Sequence, residues 1–131
     1  MEVTDIIDFL LDNGLSEIEE LKTDEDVVVI KCYYDFDKEE ISAARAYANE
    51  ESDAEEESDE WYKDWFFSYL YDIAKDNVGE VLEEIEEEFE VSSMYKIIAN
   101  EASNSEYSKF VTIFCKEDFE GDLEDILKDY I

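Results

Sequence analysis

The apolar positions of this chain change their spacing several times, and each change predicts an element. Val3, Ile6, Ile7 and Leu10 recur every three or four residues, the period of one helix face. Asn13-Gly14 ends that helix, because glycine accepts the left-handed backbone that a helix C-terminus needs. Residues 27 to 36 and 107 to 116 hold dense β-branched and aromatic runs and read as strands, as does the stretch 92 to 100 around Tyr95-Lys96-Ile97-Ile98-Ala99. The last two would form a hairpin turning through Ser103-Asn104-Ser105. Residues 16 to 22 are expected to pair with 27 to 36 through a turn at Thr23-Asp24-Glu25-Asp26, although Ser16 with Glu19 is also a capping-box pair that suits a short helix.

Asp37 with Glu40 is a capping box for a second helix, which runs through Ala43-Ala44-Arg45-Ala46 to about Asn49. A helix of different character is expected from Trp61 to about Asp76. Tyr62, Phe66, Phe67, Tyr69, Leu70, Ile73 and Ala74 cover more than half of its circumference, so it should thread the middle of the fold. On the same period Trp61 and Trp65 fall outside that arc, on the side of Asp64, Ser68, Asp72 and Asp76. A separate helix from about Val78 to Val91 carries a narrow stripe of Val78, Val81, Leu82, Ile85 and Phe89.

A repeat links the two ends of the chain. Val28, Ile30, Cys32, Asp35, Phe36 and Tyr47 recur 83 residues later as Val111, Ile113, Cys115, Asp118, Phe119 and Tyr130. Within each copy the Val, Ile and Cys residues keep the period-2 parity of one strand face. The expected fold is therefore a single α+β domain with an antiparallel sheet of about four strands. It is built from two αββα-like halves, about residues 1–50 and 77–131, joined by an acidic loop over 51–60 and a central aromatic helix over 61–76.

Charge changes the picture from a fold to a surface. The 131 residues include 41 acidic and 10 basic ones and no histidine, for a net charge of -31. Hydrophobic residues at 45% and aromatics at 15% supply a core, so this is a folded chain with an anionic skin and not a disordered acidic tail. The charge is segregated. Residues 51–60 and 77–90 each hold seven acids and no base, while residues 91–116 hold two acids and three bases. Such a field repels nucleic acid and anionic membranes and attracts basic proteins. The opening Met1-Glu2-Val3-Thr4-Asp5 lacks the basic segment of a secretory signal, and no apolar run approaches the roughly 18 residues of a membrane span, so a soluble, cytoplasmic protein is expected. Two cysteines, Cys32 and Cys115, fit free thiols packed inward better than a disulfide framework.

The same inventory excludes most chemistry. Without histidine there is no ordinary general base near neutral pH and no Ser-His or Cys-His pair. Two cysteines alone cannot close a zinc site, and three scattered glycines form no phosphate loop. Asp35-x-Asp37-x-Glu39 starts like a calcium loop but has Glu40 where glycine is required and Ala46 where a bidentate glutamate is required. The one enzyme design left is a carboxylate-only Mg or Mn site for phosphoryl or nucleotide processing, with Asp35, Asp37, Asp118 and Glu120 as weak candidates. Helix capping by Asp37 and Glu120, with Asp35 and Asp118 in turns, explains those four acids better.

No cofactor is implied, and the leading expectation is a non-enzymatic interaction protein. From Glu80 to Glu90 seven carboxylates occupy eleven residues, or one charge per about 2 to 3 Å of helix axis. That density matches or exceeds one DNA strand, at about 3.4 Å per phosphate. Glu80, Glu83, Glu84, Glu87 and Glu88, the loop acids Glu55, Glu56 and Glu57, and the two tryptophans Trp61 and Trp65 are the candidate binding residues. The expected partner is a basic protein, such as a nucleic-acid-binding protein whose groove the carboxylates fill in place of phosphates. A homodimer is compatible with the pattern but not required by it. A surface that serves solubility alone is the remaining alternative.

Overall fold

The computed structural model describes residues 2–100 and 106–131. The chain runs α1 (Val3–Asp12), β1 (Leu15–Thr23), β2 (Val27–Asp35), α2 (Lys38–Glu51), a π-helical turn (Trp61–Phe66) continuing into α3 (Phe67–Phe89), β3 (Val91–Ile98), β4 (Tyr107–Lys116) and α4 (Leu123–Lys128). The four strands form one antiparallel sheet in the order β1-β2-β4-β3. It is an α+β domain, with the helix–strand–strand–helix order occurring twice. The expected Ser103-Asn104-Ser105 turn lies outside the described residues.

Local signals act where they are strongest. Gly14 takes φ +89 directly after α1 and lets β1 begin at Leu15. At α2 the box is complete: Asp37 Oδ1 accepts from the Glu40 N–H at 2.7 Å, and Glu40 Oε1 accepts from the Asp37 N–H at 3.0 Å. Residues 16–22 belong to a strand, not a helix, because pairing with β2 overrides the Ser16/Glu19 pattern. That strand is irregular, with register shifts between Ser16 and Glu19 and between Glu20 and Lys22, and with Glu17 at φ +49.

One boundary expected from the sequence is absent. Residues 61–76 and 78–91 are not two helices; the chain stays helical without interruption from Trp61 to Phe89. Asn77, at the expected break, caps nothing. Its amide donates to the Ile73 carbonyl one turn back at 2.9 Å and to the Tyr34 hydroxyl at 3.0 Å, which leaves the helical ladder intact. α3 lies on the sheet and supplies much of the core through Phe67, Leu70, Ala74, Val78, Leu82 and Ile85.

The sheet separates two apolar clusters. On one face Val28, Ile30 and Cys32 of β2 and Phe110 and Phe114 of β4 meet α1, α2 and α3. On the other, Val27, Val29, Val111, Ile113 and Cys115 meet Leu127, Leu123 and Ile126 of α4. The repeated Val-Ile-Cys sets therefore share a face within each strand but lie on opposite faces of the sheet. In the β2–β4 register Val28 faces Phe114 and Val27 faces Cys115, so same-face partners share number parity, which an offset of 83 reverses.

Both thiols are free and buried, as the inward parity predicts. Burial pushes the Cys32 thiol up from 9.0 to about 12. A group whose folded pKa is raised contributes stability that is whole below its unfolded value and is lost as pH climbs through the folded one. The protein is therefore expected to lose about 4 kcal/mol between pH 9 and about 12 from this thiol. Urea unfolding at pH 8 and pH 11 checks it: Cys32→Ala should start less stable and show a shallower alkaline loss. An equally steep loss would assign it to Tyr34, Tyr71 and Tyr95, whose hydroxyls burial also raises.

Candidate functional site

With one face of α3 committed to the core, Glu80, Glu83, Glu84, Glu87 and Glu88 stand exposed along its outer side. Glu86 differs from them: it is half-buried and its Oε2 accepts the Ser93 backbone N–H at 3.2 Å. α1 lies alongside, with Phe9 packed edge-on against Phe89 at 6.0 Å, and its exposed Asp5, Asp8 and Asp12 extend the anionic surface. A shallow groove lined by Phe9, Glu84, Glu87 and Glu88 runs between the two helices.

A second groove of about 410 Å3 opens where Gly14, β2 and α3 meet. It gathers Asp35, Asp37 and Glu40 with Glu80 and Glu84 around Tyr34 and Asn77. The Tyr34 hydroxyl donates to Glu40 Oε2 at 2.9 Å and accepts from Asn77, so the groove wall is a hydrogen-bonded network. Burial first, then the hydrogen bond and charge of Glu40 and the charge of Asp37, push the Tyr34 phenol well above its usual range. It stays a neutral donor at any physiological pH.

The four-carboxylate metal site does not assemble. Asp35 ends β2 opposite Tyr107 and Asp37 follows it, whereas Asp118 and Glu120 follow β4 at the opposite end, where Val27 faces Cys115. About 25 Å of strand separates the two pairs. Among the described residues no group of three acidic, cysteine or histidine side chains is arranged to hold a metal ion. Asp37 serves as the α2 cap, and Asp35 accepts a hydrogen bond from the Ser16 hydroxyl.

The structure separates the two tryptophans. Trp61 is wholly buried, stacked on Phe66 with ring centroids 5.0 Å apart and planes 12° apart. The reason is the π-helical turn. On a regular α-helix, residues 61 and 66 would sit about 140° apart, but i→i+5 hydrogen bonding brings them onto one side. Trp61 Nε1 donates to Asn49 Oδ1 at 2.9 Å, and the Arg45 guanidinium lies 5.0 Å from the Trp61 ring centroid. Trp65 is half-buried beside Tyr47, at 6.0 Å. It lies about 28 Å along the helix axis from Glu84, so tryptophan and glutamate stripe do not form one surface.

The acidic loop is likewise partly used up within the fold. Arg45 Nη2 reaches Glu56 Oε1 at 2.7 Å and Glu57 Oε1 at 3.4 Å, which folds residues 52–60 over α2 and Trp61. All three of Glu55, Glu56 and Glu57 remain exposed, and Glu56 and Glu57 pair with Arg45. Among the described residues the α3 stripe has no such internal partner. The other ion pairs among the described residues join Lys22 to Asp24, Lys96 to Glu124, Lys116 to Asp26 and Lys128 to Asp125, and none takes in an α3 glutamate.

Cations gather instead behind the sheet. Strand parity puts Lys31, Lys96 and Lys109 on the α4 face, where Lys31 and Lys109 each hold their ammonium 6.0 Å from the Tyr33 ring centroid. This grouping, which no sequence pattern announced, follows from the pairing of β2 with the β3–β4 hairpin far along the chain. Among the described residues no helix is long and apolar enough to cross a membrane. The chain matches no protein family, no curated protein and no solved structure.

Proposed function

We propose that the protein is a non-enzymatic, cytoplasmic interaction protein that binds and occludes a basic partner through the outer face of α3. The observation that carries this reading is the row Glu80, Glu83, Glu84, Glu87 and Glu88, which enters no ion pair among the described residues and is held at fixed spacing on a rigid helix while lysines stand behind the sheet. A row of like charges on one helix carries a cost, since carboxylates at i and i+4 repel by a few tenths of a kcal/mol each. A cationic surface relieves that repulsion and releases the cations condensed around the row. The axial density of charge suits a protein surface shaped for phosphates, so a nucleic-acid-binding protein is the favoured partner class.

Trp61 lies outside this surface because it is buried, and Glu56 and Glu57, though exposed, already pair with Arg45. The test is capture from the native cytoplasm on immobilised protein at about 50 mM salt, followed by elution at about 500 mM. A basic protein that is retained reproducibly, eluted by salt, displaced by duplex DNA and lost when the five α3 glutamates become glutamines is the expected result. Retention unchanged by that substitution, or no retained basic protein, would leave the acidic face as a solubility coat.

A further inference from the structure

The two edges of the sheet are built in opposite ways. β1 is a guarded edge: two register shifts interrupt it, Glu17 adopts φ +49, and Glu17, Glu19 and Glu20 stand exposed along it. Irregularity and charge of this kind keep another strand from pairing. β3 is regular, and its single charged residue is Lys96. Its register with β4 runs unbroken from Val91–Lys116 to Ile98–Lys109, and residues 91–98 carry no acid and one base, Lys96. Among the described residues no strand pairs with its outer side.

The Ser93 N–H points outward, because Glu86 Oε2 accepts it from α3. Antiparallel alternation then turns the N–H and C=O groups of Tyr95 and Ile97 to the same open edge. The Glu86 carboxylate stands where a neighbouring strand would place a carbonyl oxygen. A groove of about 340 Å3 wraps this edge, lined by Gly79, Glu83 and Glu86 on the helix side and by Ser93, Met94 and Tyr95 on the strand. A further recess of about 490 Å3 shares Glu83 and Glu86 with it and continues past Glu87 and Glu90.

We infer that the free edge of β3 takes up an extended segment of the partner as a fifth strand, one in which basic and apolar residues alternate. This rests on the reading of α3 as a cation-binding face and names the form in which the cation arrives. Side chains of an added strand alternate between the two faces of the sheet. Those on the helix side would meet Glu83, Glu86, Glu87 and Glu90, which suits lysine or arginine. Those on the other side would lie beside Met94, Lys96 and Ile98, of which Met94 and Ile98 pack on the α4 cluster and favour apolar neighbours while Lys96 rejects basic ones. Main-chain hydrogen bonds supply affinity, and the flanking charge rejects acidic segments, among them the guarded edge β1 of another copy.

The probe is a blocked nonapeptide in which lysine alternates with valine, compared with the same peptide N-methylated at every second residue so that it keeps its charge but cannot pair. At about 50 mM salt the parent peptide should bind at least tenfold more tightly than the methylated one. It should also slow amide exchange at Tyr95 and Ile97 at least tenfold. Equal binding of the two, reduced in a Glu83→Gln, Glu87→Gln variant, would overturn strand addition and leave the charged face as the binding element. No binding of either peptide overturns the inference, and capture from the cytoplasm then decides the wider reading alone. A dimer of the free protein with Tyr95 and Ile97 already protected would also overturn it, because a second copy would hold the edge.

Discussion

Trp61→Ala is expected to destabilise the fold by about 3 to 5 kcal/mol, the largest single loss anticipated anywhere in the chain. The side chain is wholly buried and is held from several directions at once. Phe66 stacks beneath it, Tyr62 meets it edge-on at 5.0 Å, Asn49 accepts its indole N–H, and Arg45 lies over its ring. Truncation leaves a void where the π-helical turn, α2 and the acidic loop converge, and it frees Arg45 from one of the groups that position it. Trp61→Phe keeps a ring but strands Asn49, so a smaller loss of about 1 to 2 kcal/mol is expected. Urea unfolding followed by circular dichroism measures both, and proteolysis within residues 52–60 should quicken in the alanine variant. A loss below 1 kcal/mol would mean that the indole does not anchor this corner of the core.

Converting Glu80, Glu83, Glu84, Glu87 and Glu88 together to glutamine should move stability and binding in opposite directions. The substitution removes the like-charge pairs Glu80–Glu84, Glu83–Glu87 and Glu84–Glu88, worth together about 1 kcal/mol at low salt, and no internal ion pair is lost with them. The melting temperature should therefore rise in about 10 mM salt and hardly change in about 500 mM, where the Debye length falls to a few ångströms. Affinity for a basic partner should fall on the order of a hundredfold at low salt, as several charge contacts are erased at once. A solubility coat predicts the first effect without the second. Loss of stability would show that these carboxylates hold structural bonds the fold requires.

The same helix shows how far local pattern reaches. The α3 stripe was legible because a 3.6 period with one apolar position per turn admits only one inward face, and the glutamates had to take the remainder. Trp61 was not legible. Its orientation depends on a π-helical turn that the apolar spacing does not announce, and a single change from i→i+4 to i→i+5 bonding carries the indole from solvent to core. The Arg45 pairing with Glu56 and Glu57 escaped for a different reason: in a chain with 41 acids, nothing local marks the two that meet the lone arginine. The continuity of the helix from 61 to 89 is hidden in the sequence because the apolar arc narrows from more than half of the circumference over 61–76 to a single stripe over 78–91, which reads as two helices, whereas Asn77 spends its amide on Tyr34 and on its own helix.

Sequence alone determined the α+β class, the four strands, the Gly14 and Asp37 boundaries and the segregation of charge along the chain, because each follows from periodicity or from a single residue's backbone chemistry. Tertiary structure alone decided which charges meet. It placed Asp35 and Asp118 at opposite ends of the sheet, sent the two Val-Ile-Cys sets to opposite faces, gathered lysines behind the sheet and left β3 as an open edge beside the α3 glutamates. Those outcomes depend on strand order and register, set by the joint packing of residues some eighty positions apart, and no window of sequence short enough to show a period contains both partners.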